Sequence, residues 1–199
     1  MDPSTEITVL DMAQVLINIK YKEPVSRGRL SEELGIGEGR VRTYLGYLES
    51  GEMVQTRKRG MYLTKQGEEF LKDIEAEELV IDLQGLAVDI YNTAVLAKGC
   101  AEQVNHGLEQ RDAAIKAGSS GATTLVMEKG KLFMPSYPEA VHIKPAIEIY
   151  FKKLFQLENA DAIVIGSGKE YEQAKRGAIA GMLTINSRFE DVIIGLITE

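Results

Sequence analysis

RLSEELGIGEGRVRTYLGYLESGEMVQTRKRGMYL, residues 29–63, decides how the first part of this chain folds. Ser26 stands just ahead of it as a helix N-cap, because a hydroxyl there can accept an otherwise orphaned backbone N–H. A first short helix runs from there to about Leu34, with Leu30 and Leu34 facing inward. Gly35-Ile36-Gly37 makes a tight turn, since glycine tolerates positive φ, and Ile36 points to the core. Val41, Leu45 and Leu48 fall at i, i+4 and i+7, the buried stripe of a helix over Glu38 to Ser50 that Gly51 caps. Its other face shows Gly39, Arg40, Arg42, Thr43, Gly46 and Tyr47. Two short alternating strands follow, residues 53–56 and 61–64, joined by Arg57-Lys58-Arg59-Gly60.

Helix, turn, helix and basic-tipped hairpin, in that order, is an arrangement that docks on double-stranded DNA. The major groove admits one α-helix, so the 38–50 helix is the reading element. Arg40 and Arg42 can grip guanine edges or phosphates, and Thr43 and Tyr47 can reach bases, phosphates or thymine methyls. Arg57, Lys58 and Arg59 at the hairpin tip set register on phosphate or in the minor groove. A charged helix face is by itself commonly a solvated face, and a basic turn commonly a soluble one. Their succession at this spacing favours DNA.

The charge distribution agrees with this. The formal net charge of the 199-residue chain is −7. Yet residues 38–65 carry six basic groups against three acidic ones, while residues 76–199 carry twelve against seventeen. Duplex affinity follows local phosphate neutralisation and counterion release, not total charge. The composition, 44% hydrophobic and 27% charged, is that of an ordinary globular protein. No apolar run approaches the roughly 20 residues a membrane span needs, so no membrane partner is expected. The only cysteine, Cys100, excludes an intramolecular disulfide and fits a cytoplasmic setting. One cysteine and two histidines, His106 and His142, make a metal site improbable and suggest no cofactor.

Working outward, Ile7, Leu10, Ala13, Leu16 and Ile17, widened by Val9 and Val15, predict a helix over about 5–20 that ends near Pro24. Thr64 is placed to cap a helix continuing through Leu71 to about Glu77. Beyond it, residues 79–83, 94–97 and 162–165 read as strands, and 105–117 as a helix. Residues 124–127 and 132–134 flank Glu128-Lys129-Gly130-Lys131, a hairpin signature. Residues 146–157 form an amphipathic helix opened by Pro145, and 171–183 a helix rich in Ala and Gly that can pack closely on a sheet. Residues 193–197 read equally as a last strand or a helix. The expected class is α+β: a winged-helix DNA-binding domain over 1–77, then a two-layer α/β domain over 78–199 for dimerisation or effector sensing.

Candidate ligand contacts in the second domain are Arg111, Ser119, Ser120, Thr123 and the run Gly166-Ser167-Gly168-Lys169. The last follows a strand and precedes a helix, where backbone N–H groups can cradle an anion. It departs from a P-loop, because Ile163 stands where the first glycine belongs and Glu170 where the hydroxyl belongs. A tight turn is the commoner use of such a run, as a salt bridge is for an arginine like Arg111. His106, His142 and Cys100 fall in no nucleophile or metal pattern, so no catalytic residue is assigned.

Residues 6–75, through LSEELGIGEGRVRTYLGYLESGEMV and YLTKQGEEFL, resemble the winged helix-turn-helix transcription regulators of bacteria and archaea. Gly37 and Gly39 flank Glu38 where that class more often has a serine, threonine or larger polar residue. GLEQRDAAIKAGSSGATTLVM and ADAIVIGSGKEYEQAKRGAIAGMLT resemble the companion domain of a small family of archaeal regulators, DCoH-like in fold and of unknown function. The resemblance implies a DNA-binding regulator. A homodimer is expected, because one winged helix covers only one half-site, and a small-molecule effector would act by favouring one arrangement of the reading helices. The alternatives are an enzyme with an appended winged helix and a winged-helix module that contacts proteins without DNA.

Overall fold

The computed structural model describes residues 3–83, 85–135 and 139–198. They form two compact units, one holding residues up to Lys72 together with those from Arg188, the other holding Asp73–Ser187.

In the first unit, α1 (Pro3–Lys22) is buried without a break from Val9 to Ile19, and only its first two turns and its end reach the surface. A helix buried all round takes an apolar surface all round, and Met12, Ala13, Val15, Leu16 and Ile17 provide it. Ile7, expected on the buried face, is exposed because it precedes that stretch. Next come α2 (Arg27–Leu34) and α3 (Glu38–Ser50). Ser26 caps α2 by accepting the Arg29 N–H, and Gly35 ends it at φ 63, both as the residue types require. Glu33 bridges Lys22 at 2.9 Å and Arg29 at 2.8 Å, fastening α2 to the end of α1. Burial works to raise its pKa, and the two cationic partners outweigh burial and hold the carboxyl below its ordinary value.

The hairpin is β1 (Val54–Arg57) with β2 (Gly60–Leu63), paired antiparallel, and Val25 bridges to Met61. Thr64 caps α4 (Lys65–Phe70) through the Gly67 N–H. This helix stops well short of Glu77.

Gly51 is the C-cap of α3, as expected, but it does not supply the left-handed residue. Gly51 has φ −80, and the left-handed residue is Glu52 at φ 55. Met53 N–H reaches Leu48 O and Glu52 N–H reaches Glu49 O, the paired bonds of a Schellman ending. Gly51 packs against Leu196: a Cβ there would lie 2.3 Å from Leu196 Cδ2, so that side chain would have to turn aside to admit one. Leu196 belongs to α8 (Ser187–Thr198), the helix that residues 193–197 join. Phe189 of α8 stacks on Phe70 with ring centroids 4.6 Å apart. These contacts place α8 in the first unit, whereas the expected boundary gave the whole 78–199 stretch to the second.

The second unit is a six-stranded, wholly antiparallel sheet in the order β3-β4-β8-β5-β6-β7. Its strands are β3 (Ile74–Leu79), β4 (Tyr91–Ala97), β5 (Gly121–Glu128), β6 (Lys131–Met134), β7 (Val141–His142) and β8 (Ala162–Gly168). β3 begins where a helix was expected, and residues 80–83 lie beyond it. α5 (Leu108–Lys116) and α6 (Pro145–Phe155) lie between strands, and α7 (Tyr171–Leu183) follows the last of them. Lys129 at φ 49 and Gly130 at φ 74 form the two-residue turn between β5 and β6.

Alternation splits the sheet into two faces. Leu96, Leu125, Ile163 and Ile165 pack with Ile147, Phe151 and Phe155 of α6. The other face meets α7, and α5 packs on α7 and β5. The α+β class stands, and α6 adds a layer to the two expected. At Gly166 the absent side chain sets the spacing, since a Cβ would lie 2.1 Å from Ala174 O and 2.4 Å from Ala178 N. Both neighbours are backbone, so α7 must retreat from the sheet to accept one. Gly166→Ala is expected to cost about 1–3 kcal/mol or more by overpacking, measured as a lowered denaturant midpoint. Wild-type stability would show that α7 floats on the sheet.

Candidate nucleic-acid interface

The helix–turn–helix core sets which side of α3 faces outward. Val41, Tyr44, Leu45 and Leu48 are buried, while Arg40, Arg42 and Thr43 are exposed and Tyr47 is half-buried. Gly37 is the N-cap and makes no side-chain cap bond, while its carbonyl accepts the Arg40 and Val41 N–H groups at 2.9 and 3.1 Å. Arg57, Lys58 and Arg59 are all exposed at the hairpin. The Thr56 hydroxyl donates to the Glu49 carboxylate, tying the wing strand to the exposed side of α3. The Arg57 guanidinium lies over the Tyr62 ring, 5.0 Å from its centroid.

Among the described residues, Arg42, Arg57, Lys58 and Arg59 enter no ion pair. Cations without an internal counter-ion are the ones able to neutralise phosphate. Arg40 differs from them. Its Nη1 stands 3.9 Å from Oδ2 of Asp11, whose side chain is 1% exposed. The buried Tyr44 hydroxyl donates to the same oxygen at 3.0 Å. Burial first, then the charge of Asp11 and the bond to it, push the Tyr44 phenol up to about 12. The hydroxyl therefore remains a donor.

Sequence reasoning missed both Asp11 and Tyr44. The available signal was a carboxylate set within the apolar run VLDMAQVLINI, which burial obliges to find a partner.

The candidate ligand residues fall out differently. Gly166, Ser167 and Gly168 lie inside β8, paired with β4 on one side, while Gly166 and Ser167 also pair with β5 on the other. The expected turn that would cradle an anion is therefore a central strand. Ser119 is buried, and its hydroxyl donates to Ser167 O at 2.6 Å. The Ser167 hydroxyl donates to Asn92 Oδ1 at 2.6 Å and accepts the Val88 N–H at 3.2 Å. Thr123 donates to Leu86 O at 2.7 Å, and Ser120 to Asp89 Oδ2 at 2.6 Å. The structure thus gathers these hydroxyls: those of Ser120, Thr123 and Ser167 lash residues 86–92 to the sheet, and that of Ser119 donates to the Ser167 and Gly121 carbonyls. The bond from Ser120, the Ile90 N–H and the nearby Lys169 hold the Asp89 carboxyl below its ordinary range. Lys169 is exposed beyond the strand end, and exposed Arg111 pairs with Asp112 at 3.0 Å. Burial, then Asp161 and Asp73, push the Cys100 thiol up, away from nucleophilic thiolate.

Residues 11–77 match the family described as the CggR N-terminal DNA binding domain. This match covers α2, α3 and the hairpin of the first unit and most of α1. Residues 88–185 match a domain of unknown function, DUF4443. The chain is 28% identical over 181 residues to the central glycolytic genes regulator of Bacillus subtilis (strain 168), across 90% of this chain and 43% of that protein. It therefore spans less than half of that relative's length. A hypothetical protein from Pyrococcus horikoshii OT3 of solved structure superposes with a TM-score of 0.70 at 26% identity, over 94% of this chain and 98% of that one. Among the described residues, no helix is long and apolar enough to cross a membrane.

Tyr44→Phe removes the donor to a buried carboxylate and is expected to cost about 1–3 kcal/mol near neutral pH. The folded pKa of Tyr44, about 12, lies above the ordinary value of 10.0. The wild-type advantage is therefore fully present below pH about 10 and fades as pH rises toward 12. Denaturant unfolding of both proteins across that range reads it, and a difference that stays constant to the top of the range refutes the coupling.

Proposed function

We propose that this protein is a homodimeric transcription regulator that lays α3 in the major groove of DNA and rests its wing on the sugar–phosphate backbone. The observation that carries this reading is the set of exposed cations on α3 and the wing: Arg42, Arg57, Lys58 and Arg59 stand without internal ion pairs on a domain of DNA-binding type. Arg42, Thr43 and Tyr47 are the base-reading candidates, with Arg40 poised between Asp11 and the duplex. Arg57, Lys58 and Arg59 supply the sequence-independent part of the affinity. Similarity to a curated regulator of gene expression supports the regulatory role. Two copies present two reading helices, which suits a half-site repeat of about one helical turn.

The test is a fluorescence anisotropy titration with duplexes selected by the wild-type protein from a random pool. Arg40→Ala with Arg42→Ala should lower affinity for the selected duplex by about 1–3 kcal/mol for each arginine that grips a base. Replacing Arg57, Lys58 and Arg59 with glutamine should weaken all duplexes alike and flatten the salt slope by about 0.9 for each phosphate no longer neutralised. Unchanged affinity in the α3 double variant, with folding intact, removes α3 as the reading element.

A further inference from the structure

We infer that the outer face of α5 is a two-fold interface joining two copies of this chain. The inference deepens the homodimer reading above by naming the surface that holds the dimer together. α5 turns Gln110 and Ala114 inward, where both are buried. Leu108, Arg111, Asp112 and Ile115 lie on the opposite stripe, three and four residues apart. Leu108 is 53% exposed and Ile115 50% exposed, unusually open for large aliphatic side chains at both ends of one short helix.

The order of these residues is self-complementary. When two copies of α5 pack antiparallel about an axis passing between residues 111 and 112, Leu108 meets Ile115 of the second copy and Arg111 meets its Asp112. The same exchange occurs on the other side of the axis. An isologous contact requires this property, that one patch fit itself after a half-turn. The apolar residues form the two ends of the contact and the charged pair its centre, so each copy presents an arginine to an aspartate. Arg111 and Asp112 already pair within one copy, with Nη2 3.0 Å from Oδ1. The centre of the patch is therefore neutral before association, which limits the desolvation cost of covering it.

Val88 widens the apolar part. A side chain at Gly121 would meet Val88 Cγ2 at 3.2 Å and Arg111 Cγ at 4.0 Å, so Val88 and Arg111 flank the same point. Val88 is 58% exposed, and its N–H is fixed by the Ser167 hydroxyl. The hydroxyl network that lashes residues 86–92 to the sheet thus holds an apolar side chain in place beside the helix, which would otherwise be ordered at the moment of association.

The experiment is sedimentation velocity with multi-angle light scattering on the full chain, over a concentration series. Wild type should run at twice the 22.0 kDa chain mass. Arg111→Asp places like charges across the axis and should raise the dissociation constant by about tenfold or more. The swapped chain, Arg111→Asp with Asp112→Arg, should recover the dimer. Leu108→Glu should also dissociate it, and far-ultraviolet circular dichroism checks that each variant is folded. A monomeric wild type overturns the homodimer reading and this interface together. A wild-type dimer whose dissociation constant is unmoved by both Arg111→Asp and Leu108→Glu overturns the interface alone. Dissociation by Arg111→Asp without recovery in the swapped chain overturns the two-fold pairing.

Discussion

A carboxylate inside an apolar helix must be paired, and in this protein that requirement helps orient α3. Asp11 lies in the stretch of α1 that is buried on every side, where an unpartnered charge would be costly. Its partners, Tyr44 and Arg40, both come from α3. One bond is fully buried and directional, and the other is a looser contact reaching the surface. Together they set the rotation of α3 about its own axis. With Tyr44 turned to Asp11, the spacing of a helix places Val41, Leu45 and Leu48 in the core and Arg42 and Thr43 outside. The turn of α3 thus rests on a buried bond from Tyr44 and a surface contact from Arg40 to the same carboxylate.

The second unit is governed by close approach instead. α7 can lie on the sheet because Gly166 leaves its backbone room, and α6 covers the opposite face with Ile147, Phe151 and Phe155. Small hydroxyl residues that look like ligand contacts in the sequence are engaged within the fold: Ser120, Thr123 and Ser167 hold residues 86–92, and Ser119 bonds the Ser167 carbonyl. The polar groups therefore hold the fold, and the outer side of α5 remains as a surface with unused complementarity. On the proposed reading, charge on α3 and the wing would give affinity, and pairing of two copies would give two half-sites.

Much of this was legible in the residues. The bounds of α3 and α7, the Ser26 and Thr64 caps, the left-handed Gly35 and the turn after Glu128 follow from local rules, because periodicity and capping act within one or two turns of chain. The exposure of Arg42, Thr43, Arg57, Lys58 and Arg59 followed from the same periodicity. Ile74-Glu75-Ala76-Glu77 read as the end of a helix, since Glu and Ala favour one, with a strand only from Leu79. It is a strand because pairing with β4 overrides that preference. Gly166-Ser167-Gly168 read as a turn for the same reason, and its pairing in the middle of the sheet depends on strands distant in sequence.

By itself, then, the sequence determined the local architecture: a winged helix-turn-helix with positive charge concentrated on its reading helix and wing, followed by an α+β domain. Those features are written in spacings of two to four residues and in caps and turns, which need no distant partner. Only the tertiary structure decided that Tyr44 of α3 bonds Asp11, that Leu196 packs on Gly51, and that α8 returns to the first unit. Each of these depends on residues that are remote in the chain and meet only when the core closes, so no local pattern records them.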